Sequence, residues 1–381
     1  MTKTRVFIFL LTIVVVGSLG MVISLYARGY RFDVKTFRFE PNGLLVIKSD
    51  PDGAQVFINT ELKTATNSTI PLPPGTYDVE IRKEGYLSWK KRLVIEKEIV
   101  TEANTSLFKT VPSLSAVTFS GNINPVPTND LTKIAYAVPK TGLWVIETVN
   151  LPLGFAKDPR QIADGDLTGA SWEWSPNGRE ILLTTKTGIF LLDAGRFTPQ
   201  NQRVNITSGK TEILAEWKKE RKIKLTAQIR GLPEELVDIL ERKTDLIIFS
   251  PDETKILYTA SSSAELADNL IKPLPGASTQ KQERHIKTGK TYVYDIKEDR
   301  NFSISNSAAT LRWFPTSQHL VLAEDGKITI MDYDGTNRQE VYSGSYIAPH
   351  AFPTVNKERL LILTNLGADS VLPNLYSLSL K

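Results

Sequence analysis

Ser49-Asp50-Pro51-Asp52-Gly53-Ala54-Gln55-Val56-Phe57-Ile58-Asn59 sets a tight turn against a strand. Proline presets φ and glycine permits positive φ, so Pro51-Asp52-Gly53 reverses the chain. Leu44-Leu45-Val46-Ile47 before the turn and Val56-Phe57-Ile58 after it are short apolar runs with β-branched members, and they predict strands. Leu72-Pro73-Pro74-Gly75 predicts a second, rigid turn. The alternation that follows is the cleanest in the chain: Tyr77, Val79 and Ile81 share one face, and Asp78, Glu80 and Arg82 the other. Glu84-Gly85-Tyr86 turns the chain again, and Trp89, Leu93 and Ile95 continue the apolar face. Four or more short strands in about 55 residues predict a small antiparallel sandwich.

Three groups of residues in this stretch come in a telling order. They are Ser49 with Pro51-Asp52-Gly53-Ala54, then Leu72-Pro73-Pro74-Gly75-Thr76-Tyr77, then Lys83-Glu84-Gly85-Tyr86 with Trp89. On them the stretch resembles a PEGA domain, a small β-sandwich module common in bacterial envelope and surface proteins. Asp52 stands where the name-giving motif has glutamate, and Asn59-Thr60-Glu61 fills a turn that usually carries glycine. The resemblance implies a PEGA-like β-sandwich over residues 43–110. Its conspicuous residues read as structural: Gly53, Gly75 and Gly85 supply turn backbone, Pro51 and Pro74 stiffen turns, and Tyr77, Tyr86 and Trp89 pack the core.

Towards the N-terminus, Val6 to Tyr26 is uncharged and mostly apolar. A helix of about 20 such residues spans the hydrocarbon core of a bilayer. Lys3 and Arg5 precede the run, Arg28 and Arg31 follow it, and Tyr26 and Tyr30 suit a membrane interface. A cleaved signal would have a shorter apolar core and then a small-x-small site. Here Ser18 and Gly20 lie inside the run, and Leu25 and Ala27 make a poor pair. The reading is a short tail at residues 1–5, a transmembrane signal anchor at residues 6–27 that meets the lipid bilayer through residues 6–26, and a juxtamembrane linker at residues 28–42. The cluster Arg28, Arg31, Lys35 and Arg38 reads as a solvated linker or as a contact with anionic head groups. It outnumbers Lys3 and Arg5, so the charge count does not orient the anchor. A single anchor before a long folded chain predicts that the bulk of the chain is extracytoplasmic.

Towards the C-terminus the chain repeats itself. Trp174-Ser175-Pro176-Asn177-Gly178 precedes Ile181-Leu182-Leu183, Phe249-Ser250-Pro251-Asp252-Glu253 precedes Ile256-Leu257-Tyr258, and Trp313-Phe314-Pro315-Thr316-Ser317 precedes Leu320-Val321-Leu322. Each strand opens five residues after its proline. Looser copies begin at Pro127-Thr128-Asn129 and Pro353-Thr354-Val355, whose strands at Ile134 and Leu360 open seven residues after proline. Second strands follow at Gly142 to Ile146, Gly188 to Leu192, Thr291 to Asp295, Lys327 to Met331 and Asn374 to Leu378. A repeat of roughly 40–50 residues with several strands predicts a β-propeller, because one blade cannot bury its own faces. On the Ser-Pro-Asp/Asn turns, residues 111–381 resemble the WD40-like repeats of TolB-type propellers. Five blades are visible; a sixth is open, in residues 113–124 or in an insertion, as is closure of the last blade by the N-terminal strand.

Two insertions interrupt the repeat. Residues 211–244 read as helical: Pro233-Glu234-Glu235 opens a helix, Arg242-Lys243 closes it, and Leu232, Leu236, Ile239 and Leu240 share a face. Lys218, Lys219, Arg221, Lys222 and Lys224 form a basic run that is either a solvated face or a contact for an anionic polymer. Residues 261–288, rich in serine, alanine, lysine and proline, predict a flexible loop.

The fold class is therefore mainly β: a transmembrane helix, a PEGA-like sandwich, and a propeller of about five or six blades with a helical insertion. A net charge of +4 from 46 basic and 42 acidic residues is too balanced to predict nucleic-acid binding. The absence of cysteine excludes disulfides, thiolate metal sites, a cysteine nucleophile and an acylated lipoprotein cysteine. His285, His319 and His350 match no helical metal pair, and the G-x-S-x-G elbow, the P-loop and the dinucleotide fingerprint are missing. No catalytic, cofactor-binding or metal-ligating residue is expected, and no cofactor. Carboxylates meeting from distant blades leave open a cell-surface glycosidase or lyase. The leading expectation is a non-catalytic, membrane-anchored envelope protein whose propeller contacts an unidentified envelope protein or polysaccharide, with the PEGA-like module as spacer or adhesive unit. A cytoplasm-facing tethered scaffold is the remaining alternative.

Overall fold

The computed structural model describes residues 2–27, 29–33, 37–149, 158–272, 279–305, 311–368 and 370–381. Two compact units result: Met1–Leu107 with Lys272–Lys281, and Phe108–Ile271 with Gln282–Lys381.

The first unit begins with helix α1, Thr2–Ala27, whose apolar side chains are exposed on every side. A hairpin of Tyr30–Asp33 and Arg38–Pro41 follows. The sandwich then forms from two sheets. One holds Gly43–Asp50 between Ser68–Leu72 and Val100–Ser106; the other runs Glu61–Ala65, Gln55–Ile58, Gly75–Arg82, Trp89–Ile95. Leu45, Ile47, Val56, Ile58, Val79, Ile81, Trp89, Leu93 and Ile95 fill the space between them. Each fully buried aliphatic side chain contributes about 1.5–3 kcal/mol. Asp78, Glu80 and Arg82 take the outer face, where Arg92 and Lys90 pair with the two acids.

One pairing departs from the antiparallel expectation: Val100–Ser106 runs parallel to Gly43–Asp50. The chain leaves the second sheet at Ile95 and crosses beside Gly43, so it enters the first sheet in the same direction as its neighbour. A Cβ at Gly43 would lie 2.2 Å from the Glu96 carbonyl oxygen, so only glycine admits the crossing. The Pro51-Asp52-Gly53 turn is tied into the fold as well. The buried Ser49 hydroxyl donates to the Pro51 carbonyl (2.6 Å) and pairs with the Thr66 hydroxyl (2.7 Å), which accepts the Ala54 N–H (2.9 Å).

The second unit is a β-propeller. Among the described residues it has five antiparallel sheets that form blades, and a two-stranded ribbon, Ala264–Glu265 with His285–Ile286, in the second insertion. The first blade is Ile123–Pro127, Lys133–Val138, Gly142–Glu147 and Arg160–Asp164; the second is Ser171–Trp174, Glu180–Thr185 and Gly188–Asp193. The third is Thr244–Phe249, Lys255–Ala260, Thr291–Asp295 and Arg300–Ser305; the fourth is Leu311–Trp313, His319–Glu324, Lys327–Asp332 and Gln339–Ser343. The fifth combines Ala351–Pro353, Arg359–Thr364 and Asn374–Ser379 with Ser113–Ala116 from the start of the domain. That early strand pairs with Asn374–Ser379 and completes the last blade; it does not begin a sixth.

Side-chain alternation gives each blade two apolar faces, and adjoining blades share them. Ala135, Leu143 and Ile162 of the first blade pack with Trp172, Ile181 and Leu183 of the second. Leu257 and Val293 of the third pack with Trp313, Leu320 and Leu322 of the fourth. Ile134 and Tyr136 of the first meet Phe352, Leu361 and Leu375 of the fifth, which closes the ring. The indole N–H of Trp174 donates to the Val126 carbonyl (2.9 Å), and that of Trp313 to the Ile248 carbonyl (3.1 Å), so the same position ties two successive pairs of blades.

The repeated turn has a defined chemistry. The buried Ser175 hydroxyl donates to the Asn177 side-chain oxygen (2.8 Å) and accepts the Glu180 N–H (2.9 Å). Ser250 does the same with Asp252 (2.7 Å) and Lys255 (3.0 Å), and Thr128 with Asp130 (2.6 Å) and Lys133 (3.1 Å). Thr354 donates to Asn356 (2.5 Å). Aligned on the hydroxyl, Ile134, Ile181, Ile256 and Leu360 all fall six residues later.

Candidate functional site

Two helices occupy the 211–244 insertion: α2, Lys210–Ile229, and α3, Glu234–Arg242. Trp217, Ile213 and Leu214 of α2 pack on Leu182, Ile189 and Leu191, the face of the second blade turned away from the first. Leu236, Ile239 and Leu240 of α3 pack with Ile229 on Ile256, Tyr258, Tyr292 and Tyr294 of the third blade. The helical pair thus lies between the second and third blades and covers a face of each. Trp217, an indole inside a strongly charged helix, marks the buried side of α2, a signal that the sequence reading passed over.

The basic run divides under this packing. Arg221 lies one turn after Trp217; its guanidinium reaches the Glu173 carboxylate (2.7 Å) on the first strand of the second blade. Gln228 donates to Glu253 (2.7 Å) at the turn of the third blade. These residues fasten the helix. Lys218, Lys219, Lys222 and Lys224 stay exposed, and Ile223 between them is 61% exposed. Lys219, Lys222, Ile223, Thr226, Ala227 and Arg230 line a shallow depression of about 370 Å³ on the helix's free side. Glu216 and Glu220 are exposed on the same side, seven and three residues before Ile223, so the surface is of mixed charge with a basic excess around an apolar centre.

The histidines lie apart. His285 Nδ1 pairs with Glu265 (2.6 Å) at the surface. His319 is buried, with Nδ1 on the Thr316 hydroxyl (2.8 Å) and its ring against Phe108. Burial, and then the neighbouring Arg312, push the His350 imidazole below its ordinary value. Among the described residues no group of three or more His, Asp or Glu side chains could hold a metal ion. Buried acids serve turns and ion pairs. Asp295 accepts the Lys297 and Glu298 N–H groups, Asp299 meets Arg284 (2.9 Å) and Tyr294 (2.5 Å), and Asp334 accepts from Thr336. Asp295 and Asp334 hold local turns, whereas Asp299 and Glu173 act through Arg284 and Arg221, partners distant in the chain that no sequence motif marks.

Residues 42–110 match the PEGA domain. The departures at Asp52 and Asn59-Thr60-Glu61 leave the PEGA fold intact: Lys83 donates to the Asp52 carbonyl (2.8 Å), and the Asn59 side chain accepts the Asp78 N–H (2.9 Å). No curated protein matches the chain. Solved structures similar to it include TolB from Agrobacterium tumefaciens, at 11% identity, covering 67% of this chain and 77% of that one, with a TM-score of 0.24. TolB from Acinetobacter baumannii shares 13% identity over 80% of this chain and 59% of its own, TM-score 0.20. The β-propeller domain of Cps50 (Swd1) from Myceliophteria thermophila shares 12% identity over 69% and 73%, TM-score 0.19. The blade assignment rests on the strand pairing above.

Proposed function

We propose that this chain is a membrane-anchored, non-catalytic interaction protein of the cell envelope, with the bulk of the chain outside the cytoplasm. Its propeller engages an acidic partner, protein or polysaccharide, through the free side of α2; the PEGA module, between anchor and propeller in chain order, is a spacer or adhesive unit. One observation carries this reading. Lys219, Lys222 and Arg230 surround the exposed Ile223 on a helix whose opposite side satisfies the fold. A cationic rim around an apolar centre is the pattern of a contact surface, in which charge steers the encounter and the apolar residue is desolvated. Binding of the full-length, detergent-solubilised protein to an acidic polysaccharide array and to envelope extract tests it against the Lys219→Glu/Lys222→Glu variant. The variant should lose the partner and keep its thermal unfolding temperature; retention of the same partners with the same affinity refutes the site. Protease treatment of intact cells tests the topology, and protection of the C-terminal domain would reverse it.

A further inference from the structure

The hairpin behind α1 carries a surface that neither the anchor nor the sandwich uses. The apolar run of α1 ends at Tyr26, and only residues 27–29 separate it from the first strand of the hairpin, with the Gly29 N–H on the Tyr26 carbonyl (3.1 Å). A run of 21 residues, Val6 to Tyr26, at about 1.5 Å per residue fills a hydrocarbon core of about 30 Å. The chain length therefore sets Tyr30–Asp33 and Arg38–Pro41 at the level of the lipid head groups. Contacts fix the hairpin there. The Arg31 guanidinium stacks on the Tyr26 ring (3.8 Å) and donates to the Tyr26 carbonyl (3.3 Å), while the Tyr30 hydroxyl donates to Glu98 (2.6 Å) of the sandwich.

On this hairpin three phenylalanines gather. Phe32 and Phe39 are cross-strand partners with ring centroids 5.3 Å apart, and Phe37 packs edge-on to Phe32 at 6.1 Å. Their cluster faces outward: Phe32 is 49% and Phe37 76% exposed. Phe37 also sits at φ +54, a left-handed turn position that disfavours a bulky side chain. A two-stranded hairpin has no core of its own to cover such rings. Residues 28–41 carry Arg28, Arg31, Lys35 and Arg38 against Asp33 and Glu40, a composition that suits a surface of phosphate head groups over acyl chains.

We propose that the hairpin is a second membrane contact, in which the Phe32, Phe37 and Phe39 cluster inserts into the head-group boundary of the bilayer that holds α1. This rests on α1 remaining as an anchor. The contact gives the protein two attachments to one leaflet, helix and hairpin, and so limits rotation of the first unit about its anchor.

The chain has no cysteine, so single substitutions give unique spin-label sites. Phe37→Cys, Val15→Cys in α1 and Leu62→Cys on an exposed strand of the sandwich would each be labelled in the full-length protein. Reconstitution would use vesicles of phosphatidylcholine and phosphatidylglycerol, with collisions measured against oxygen and a water-soluble nickel chelate. The expected result is an oxygen-to-nickel ratio at residue 37 several-fold above that at residue 62 and below that at residue 15. Equal ratios at 37 and 62, with 15 embedded, overturn the hairpin contact and leave the anchor standing. An aqueous ratio at 15 overturns the anchor and the contact together. A Glu40→Cys label, which keeps all three rings, supplies the second measurement. Its nickel accessibility should rise at least two-fold when Phe32→Ser and Phe37→Ser are added, and no change refutes insertion.

Discussion

Ser250 offers the sharpest test of how the propeller turns are built. Its side chain is buried and holds two bonds, donating to the Asp252 carboxylate (2.7 Å) and accepting the Lys255 N–H (3.0 Å). Ser250→Ala removes both. The carboxylate keeps the Thr254 N–H (3.1 Å) and hydroxyl (2.8 Å), so it is not stranded. The Lys255 N–H, at the mouth of a buried strand, loses its partner. An orphaned buried donor costs about 1–3 kcal/mol, and a bond to a charged acceptor contributes about 1.5–3. With Asp252 still served, the sum should be about 2–3 kcal/mol. Two other blades use threonine at the equivalent position, Thr128 and Thr354, so Ser250→Thr should cost less than about 1 kcal/mol. The assay is thermal and urea unfolding of the full-length protein in detergent, followed by tryptophan fluorescence, with the propeller transition fitted by itself because the chain has two compact units. At about 2–4 °C per kcal/mol for a domain of this size, Ser250→Ala should melt about 4–12 °C lower. An unchanged midpoint, or a threonine variant as weak as the alanine one, would show that the hydroxyl does not organise the turn.

Two further outcomes follow from the same geometry. Trp174→Phe keeps the ring packing but removes the indole donor to Val126, so it should cost about 1 kcal/mol in urea unfolding, against about 3–5 for Trp174→Ala. Stability should also fall in acid. Burial alone would raise the Asp252 carboxyl, but the Ser250 hydroxyl, Thr254 and Lys255 together hold it below its ordinary value of 3.8; Asp130 is lowered likewise by Thr128 and Thr132. A depressed carboxyl contributes stability that is present above the unfolded value and lost as pH falls through the folded one. Midpoints measured from pH 5 downward should therefore drop below about pH 4, and Ser250→Ala should show the smaller drop.

The sandwich was legible because its signals are local. Alternation places Val79 and Ile81 inward and Asp78 and Arg82 outward within one strand, and the fold keeps that division. The parallel strand Val100–Ser106 was not legible as such, since its direction depends on where the chain crosses beside Gly43. The propeller repeat was readable in outline, yet proline is the wrong ruler for its register. Pro127 and Pro353 precede the turn hydroxyl, whereas Pro176 and Pro251 follow it, which produces the apparent two-residue shift in the first and last blades. Four of the five turns use a hydroxyl and an acceptor two residues on; proline between them is optional. The fourth blade dispenses even with the hydroxyl: buried Phe314 takes its place, and Thr316 bonds His319 instead. The candidate site was half legible. Composition identified the basic run, but only the packing of Trp217 separates Arg221, which fastens the helix, from Lys219 and Lys222, which face outward. The middle of the second insertion, residues 273–278, lies outside the described residues; its base is closed by Ala264–Glu265 pairing with His285–Ile286.

The helical pair bears on fold and function together. In a ring of blades every sheet needs a neighbour on each side, because both of its faces are apolar. Between the second and third blades the neighbour is not a sheet but α2 and α3. Leu182 and Ile189 rest on α2, while Ile256, Tyr258 and Tyr292 rest on α3. A sheet in that slot would spend both faces on packing. A helix spends one side, and α2, exposed along most of its 20 residues, keeps the other. The substitution of helices for sheet thus fills the slot between the second and third blades and leaves α2 a free face with a basic excess. Sequence on that face is unconstrained by the core, so its lysines and the exposed Ile223 are not explained by packing.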